Sequence, residues 1–137
     1  MTGRRVEDVR VWQIAHAFTH AVCRLLKASA VAAADMRFSV SLFRAARAAE
    51  AAVAEGIRTG ADQTSARALA EAGHQIAAAL VAIEDGIDRG YFSKSASQTA
   101  LDLGRDAARI TRSLETYFER LGRPSRLGRR RLARDAL

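Results

Sequence analysis

Apolar side chains recur every three or four residues along four long stretches of this chain, the spacing of one face of an α-helix. The 137 residues include a single proline, Pro124, so no proline interrupts any of these stretches. We therefore predict four helices, over about 7–28, 35–57, 62–89 and 95–121. The predicted inward-facing residues are Val11, Ile14, Ala15, Phe18, Val22 and Leu25; Phe38, Leu42, Ala46, Ala49, Val53 and Ile57; Leu69, Gly73, Ile76, Leu80, Ile83 and Ile87; and Leu103, Ala107, Ile110, Leu114, Tyr117 and Leu121.

Residues with known preferences for helix ends lie between the four stretches. Asp35 is a predicted N-cap of the second helix, and Gly90 suits the left-handed position after the third. Ser95 with Gln98 resembles a capping box for the fourth helix, which Gly122 and Pro124 then end. Because the three connections are short, consecutive helices are expected to be antiparallel neighbours. The predicted fold is all-α, an up-down-up-down antiparallel four-helix bundle over residues 1–122.

The net charge of +7 is concentrated at the C-terminal end. Residues 120–137 contain seven arginines and one aspartate, a net charge of +6, so 123–137 is predicted to be a basic tail. Such a segment can bind the phosphates of RNA or DNA, but without aromatic residues it cannot stack on bases. The alternatives are a solubilising end or contact with an acidic protein or membrane surface. The predicted nucleic-acid-binding residues are Arg120, Arg123, Arg126, Arg129, Arg130, Arg131 and Arg134.

Some apolar residues lie outside the predicted inward faces. Met36, Val40 and Phe43 recur at helical spacing nearly opposite the inward face of the second helix, and Trp12 belongs to a side stripe of the first. Either these residues widen the core of a loosely packed bundle, or Trp12, Met36, Val40 and Phe43 form a subunit interface.

No pattern of catalytic residues is apparent, and we predict neither enzymatic activity nor a cofactor. His16 and His20, which we expect on the outward face with Arg24 and Lys27, are half of a metal site that no third ligand in that helix completes. The motif from Glu71 to His74 occurs once, whereas di-iron bundles need it twice. No metal is therefore predicted.

The expected location is the cytoplasm, without membrane insertion. The single cysteine, Cys23, excludes an intramolecular disulfide, and no run of eighteen apolar residues or signal peptide is present.

Two motifs resemble a known family. The residues from Val6 to Gln13, which include Val11-Trp12-Gln13, are similar to the opening of the bacterial four-helix-bundle proteins encoded in ribosomal-RNA intervening sequences. The run Leu42-Phe43-Arg44-Ala45-Ala46, followed by Val53-Ala54-Glu55-Gly56, resembles that family's second signature. A third, weaker similarity to the family covers Ala72-Gly73-His74 and, further along the chain, Ile83-Glu84 and Gly90-Tyr91. The proline and asparagine that the family places near residues 48–52 are missing here.

This resemblance implies a homo-oligomeric up-down bundle, familiar as a pentamer, with no known catalytic activity. A related bundle is the accessory protein of diversity-generating retroelements, which contacts reverse transcriptase and nucleic acid. The sequence and the resemblance together favour a non-catalytic oligomeric scaffold that binds RNA or DNA by charge. The alternative is a protein–protein adaptor with no nucleic-acid role.

Overall fold

The computed structural model describes residues 9–60 and 63–122, and all the regular secondary structure within them is helical. Five helices pack against one another, one more than the sequence predicted. They are α1 (Arg10–Lys27), α2 (Ala30–Ala34), α3 (Met36–Arg58), α4 (Gln63–Asp88) and α5 (Lys94–Gly122). The four long helices correspond to the four predicted stretches.

The additional helix, α2, is a single turn between α1 and α3. The Ser29 hydroxyl accepts a hydrogen bond from the amide of Ala32 at 3.1 Å and donates one to the carbonyl of Tyr91 at 2.8 Å. A five-residue segment of four alanines and one valine is too short to show a helical period, so the pattern could not reveal it.

Asp35 caps α3, as predicted. Its Oδ1 accepts a hydrogen bond from the amide of Phe38 at 3.1 Å, and its Oδ2 accepts one from the Tyr91 hydroxyl at 2.7 Å. These two hydrogen bonds, with Arg89 3.5 Å away, favour the ionised carboxylate and hold the pKa of Asp35 below its usual value. The cap therefore also joins the start of α3 to the segment after α4.

The predicted start of the last helix, Ser95, was one residue too late, and the predicted capping residue was wrong. The helix begins at Lys94, and the hydroxyl of Ser93 accepts from the amide of Ala96 at 3.0 Å. A cap must reach an amide two or three residues ahead, and Ser93 meets that requirement for a helix beginning at Lys94.

Gly90, with φ of +79°, has the predicted left-handed conformation.

The core lies between four long helices, with α1 and α4 each packed against both α3 and α5. One apolar cluster joins the C-terminal halves of α1 and α4 to the N-terminal halves of α3 and α5. Another joins the N-terminal halves of α1 and α4 to the C-terminal halves of α3 and α5. The largest fully buried side chains are Phe18, Leu42, Leu69, Ile76 and Ile83, all of which the sequence predicted to face inward.

The inward face of α5 differs from the prediction. Tyr117 and Leu121 are about half exposed, at 56% and 50%, whereas the predicted stripe placed both inside. The buried residues of this helix are mostly small: Ser97, Ala100, Leu101, Gly104, Ala107 and Thr111. Helix α5 therefore presents its smallest side chains to the core and its larger ones to the edges of that face.

Glycine makes this close packing possible. A Cβ added to Gly104 would lie 2.5 Å from Cδ2 of Leu80 and 2.8 Å from Cε1 of Phe18. Gly56 lies within α3, which continues to Arg58, and packs against Leu69 of α4. Its role is to admit the neighbouring helix.

Candidate interaction surfaces

The predicted nucleic-acid-binding arginines begin at the end of α5. Arg120 is exposed in the last turn of that helix. The other six arginines belong to residues 123–137 and lie outside the residues that the structure describes. The basic segment thus continues the chain directly from the last described helix.

Three of the four predicted interface residues are exposed on the side of α3 that is turned away from the core. Met36 is 66% exposed, Phe43 39% and Val40 36%. We call Met36, Val40, Phe43 and the neighbouring Arg37 and Arg44 the α3 outer face. Exposed apolar side chains grouped on one face are typical of surfaces that contact another molecule.

The α3 outer face is basic as well as apolar. Arg37 and Arg44 are exposed, and no acidic residue occurs between Met36 and Ala49 of this helix. Met36, Val40 and Arg44 also line a shallow groove between α3 and α4. Because positive and apolar groups alternate there, the surface suits an apolar or an anionic contact.

The fourth predicted interface residue, Trp12, belongs to a different arrangement. It is half-buried, and its ring stacks on the imidazole of His16 with centroids 4.6 Å apart and planes 13° apart. His16 Nδ1 donates to the carboxylate of Glu50 on α3, and Arg47 donates to the other oxygen of that carboxylate at 3.0 Å. The rings of His16 and His20 meet edge to face. We call Trp12, His16, His20 and Glu50 the histidine cluster.

The expectation that His16 faces outward holds in part, since its side chain is 42% exposed. His16 leans across the α1–α3 interface toward Glu50, which is only 7% exposed, whereas His20, Arg24 and Lys27 are exposed as predicted. A carboxylate buried among apolar side chains requires a partner with a proton or positive charge, and His16 and Arg47 both serve. Glu50 itself was missed. The sequence feature that could have identified Glu50 is its position as a single glutamate within an alanine-rich, inward-facing stretch.

Two arginines of α5 form ion pairs with acidic side chains. Arg109 lies 3.6 Å from Asp106, one turn away. Arg105 instead reaches Glu84 of α4 at 3.9 Å. Both pairs are solvent-exposed and each contributes little to stability. This face resembles a salt-bridged helix surface more than a phosphate site.

The residues that the sequence analysis considered as metal ligands or as a thiol are exposed or half-buried. Glu71 and His74 are exposed, and Glu71 accepts from Gln75 at 2.9 Å, while Cys23 is half-buried. Over 9–60 and 63–122, no three or more histidine, cysteine, aspartate and glutamate side chains converge as metal ligands. No helix among these residues has both the length and the apolar character needed to cross a bilayer.

Comparison with known proteins gives no relative from which a role could be inferred. No protein-family model, no curated protein and no solved structure matches this chain.

Proposed function

We propose that this chain is a non-catalytic, self-associating helical scaffold that binds RNA or DNA through its arginines. In this proposal it is a divergent cytoplasmic member of the intervening-sequence bundle family, assembles as a pentamer, and serves as accessory to a nucleic-acid enzyme such as a reverse transcriptase. The four long helices form the up-down-up-down bundle, with α2 as a turn within its first connection.

The distribution of charge is the observation that carries the nucleic-acid role. Seven arginines occur among the last 18 residues, and the first of them, Arg120, is exposed at the end of α5. A fivefold assembly of chains with a net charge of +7 would hold about 35 positive charges, which favours polyanions through many weak contacts.

The direct test is equilibrium binding of labelled single-stranded RNA and double-stranded DNA to the full-length chain across a range of salt concentrations. We expect binding at low salt that weakens steadily as salt increases, because phosphate contacts displace condensed counterions. Absence of binding to either polymer at low salt would overturn the nucleic-acid role and favour the protein–protein adaptor.

Self-association is supported by the α3 outer face. Replacing Met36, Val40 and Phe43 together with serine should weaken assembly on the order of 100-fold per interface, since each side chain loses part of the free energy of apolar burial. Sedimentation velocity at several protein concentrations measures the change. The matched control is Val81→Ser, which removes a 66% exposed valine from α4.

The triple variant also separates the two candidate functions. A shift toward a single-chain species, with helical content retained in circular dichroism, supports the scaffold. Assembly that is equal in the triple variant and the control would mean that this face serves another protein, as in the adaptor alternative.

A further inference from the structure

Two imidazole nitrogens of the histidine cluster lie within hydrogen-bonding distance of each other. His16 and His20 lie one turn apart on α1, and their Nε2 atoms are 3.1 Å apart. Two imidazole nitrogens that bind one zinc ion at 2.0–2.1 Å with tetrahedral geometry are about 3.3 Å apart. The observed separation is therefore close to that of two nitrogen ligands of one metal ion.

The ring of His16 is held in the orientation that a metal ligand needs. Its Nδ1 faces the carboxylate of Glu50, an acceptor, so the proton of the neutral ring lies on Nδ1 and Nε2 carries the lone pair. In the metal-free chain that lone pair accepts a hydrogen bond from Nε2–H of His20, and binding a metal ion requires His20 to carry its proton on Nδ1 instead. Trp12 covers one side of the same ring. A carboxylate behind a histidine fixes the tautomer and makes the ligand nitrogen more basic.

We propose that His16 and His20 bind a divalent transition-metal ion of the nickel, copper and zinc group through their Nε2 atoms. Glu50 acts as a positioning residue behind His16. Because His20 is exposed and the described residues supply two ligands, water completes the coordination. Imidazole ligands favour these metals over calcium and magnesium, and copper is expected to bind most tightly.

The chain offers well-matched variants for a test. It holds three histidines in total, so a preparation without a histidine tag carries one further imidazole, His74, exposed on α4. His20→Ala removes one proposed ligand from an exposed position, and His74→Ala is the control. Cys23→Ser in every variant removes the thiol as a competing ligand.

The measurement is calorimetric titration with Zn²⁺ and Ni²⁺, combined with electron paramagnetic resonance of the Cu²⁺-loaded chain. We expect about one ion per chain and nitrogen hyperfine splitting from two imidazoles. His20→Ala should weaken binding at least tenfold and leave one coordinating imidazole, whereas His74→Ala should change neither. Equal affinity in the His20→Ala variant and the Cys23→Ser parent chain would overturn the proposal.

Two further readouts test the role of Glu50 and the ligand type. Glu50→Gln should keep one ion per chain and weaken its affinity about 10–100-fold, as loss of a carboxylate behind a metal-bound histidine does. Affinity should also fall in acid, because protons compete with the metal ion for the imidazole nitrogens. Unchanged affinity in Glu50→Gln would overturn the positioning role, and unchanged affinity at pH 5 would overturn histidine ligation. Neither measurement depends on nucleic-acid binding.

Discussion

A chain that ends at Gly122 should bind RNA and DNA about 10³-fold more weakly, or weaker still, than the full-length chain at 0.1 M salt. The truncation removes six arginines and one aspartate and lowers the net charge from +7 to +2. Each phosphate contact contributes about 0.7–0.9 to the slope of log K against log salt. Six lost contacts should therefore reduce that slope by about four to five.

The truncation needs controls for length and for charge elsewhere. A full-length variant with those six arginines replaced by glutamine keeps the length and should lose affinity to the same extent. A triple replacement of Arg105, Arg109 and Arg112 by glutamine removes exposed charge from α5 and should have a smaller effect. Full affinity in the truncated chain would move the site to the helical surface, near Arg24, Lys27 or Arg105.

Phe18→Ala should lower the free energy of unfolding by about 3–5 kcal/mol, the range for removing a buried phenyl ring. Phe18 has no exposed surface, and its ring fills the space that Gly104 leaves open on α5. For a domain of this size, such a loss lowers the melting temperature on the order of 10 °C.

Urea unfolding of both chains at one protein concentration measures the difference, since any self-association makes stability depend on concentration. The matched control is Tyr117→Ala, which removes an aromatic ring that is 56% exposed and should cost about 0.5 kcal/mol or less. Equal losses in the two variants would contradict the close packing of α1 against α5.

The helices could be predicted from the sequence because their large side chains report which way each helix faces. Phe18, Leu42 and Ile76 are buried, and the predicted boundaries of α1, α3 and α4 differ from the observed ones by three residues or fewer. On α5 the same reasoning succeeded only in part. Ala107 is buried as predicted, but the buried Gly104 was missed, and Tyr117 and Leu121, which the pattern placed inward, are about half exposed.

The candidate surfaces could be predicted only where one helix determines them. The exposure of Met36, Val40 and Phe43 follows from their position on α3 opposite its apolar face. The contact between His16 and Glu50 joins residues 34 positions apart and depends on which side of α1 faces α3. The helical period predicts which face of each helix is directed to the core, but it does not predict which other helix packs on each side of that face.

The small residues on the inner face of α5 also limit how this protein can change. At Gly104, and at Gly86 of α4, any substitution adds volume where a Cβ would already lie within 3 Å of a neighbouring side chain. Most random substitutions of a buried alanine likewise introduce a larger side chain, and added volume in a packed interior is destabilising. Random mutation on this face of α5 should therefore destabilise the chain mainly by crowding, and compensating changes should be reductions in size on the helix opposite.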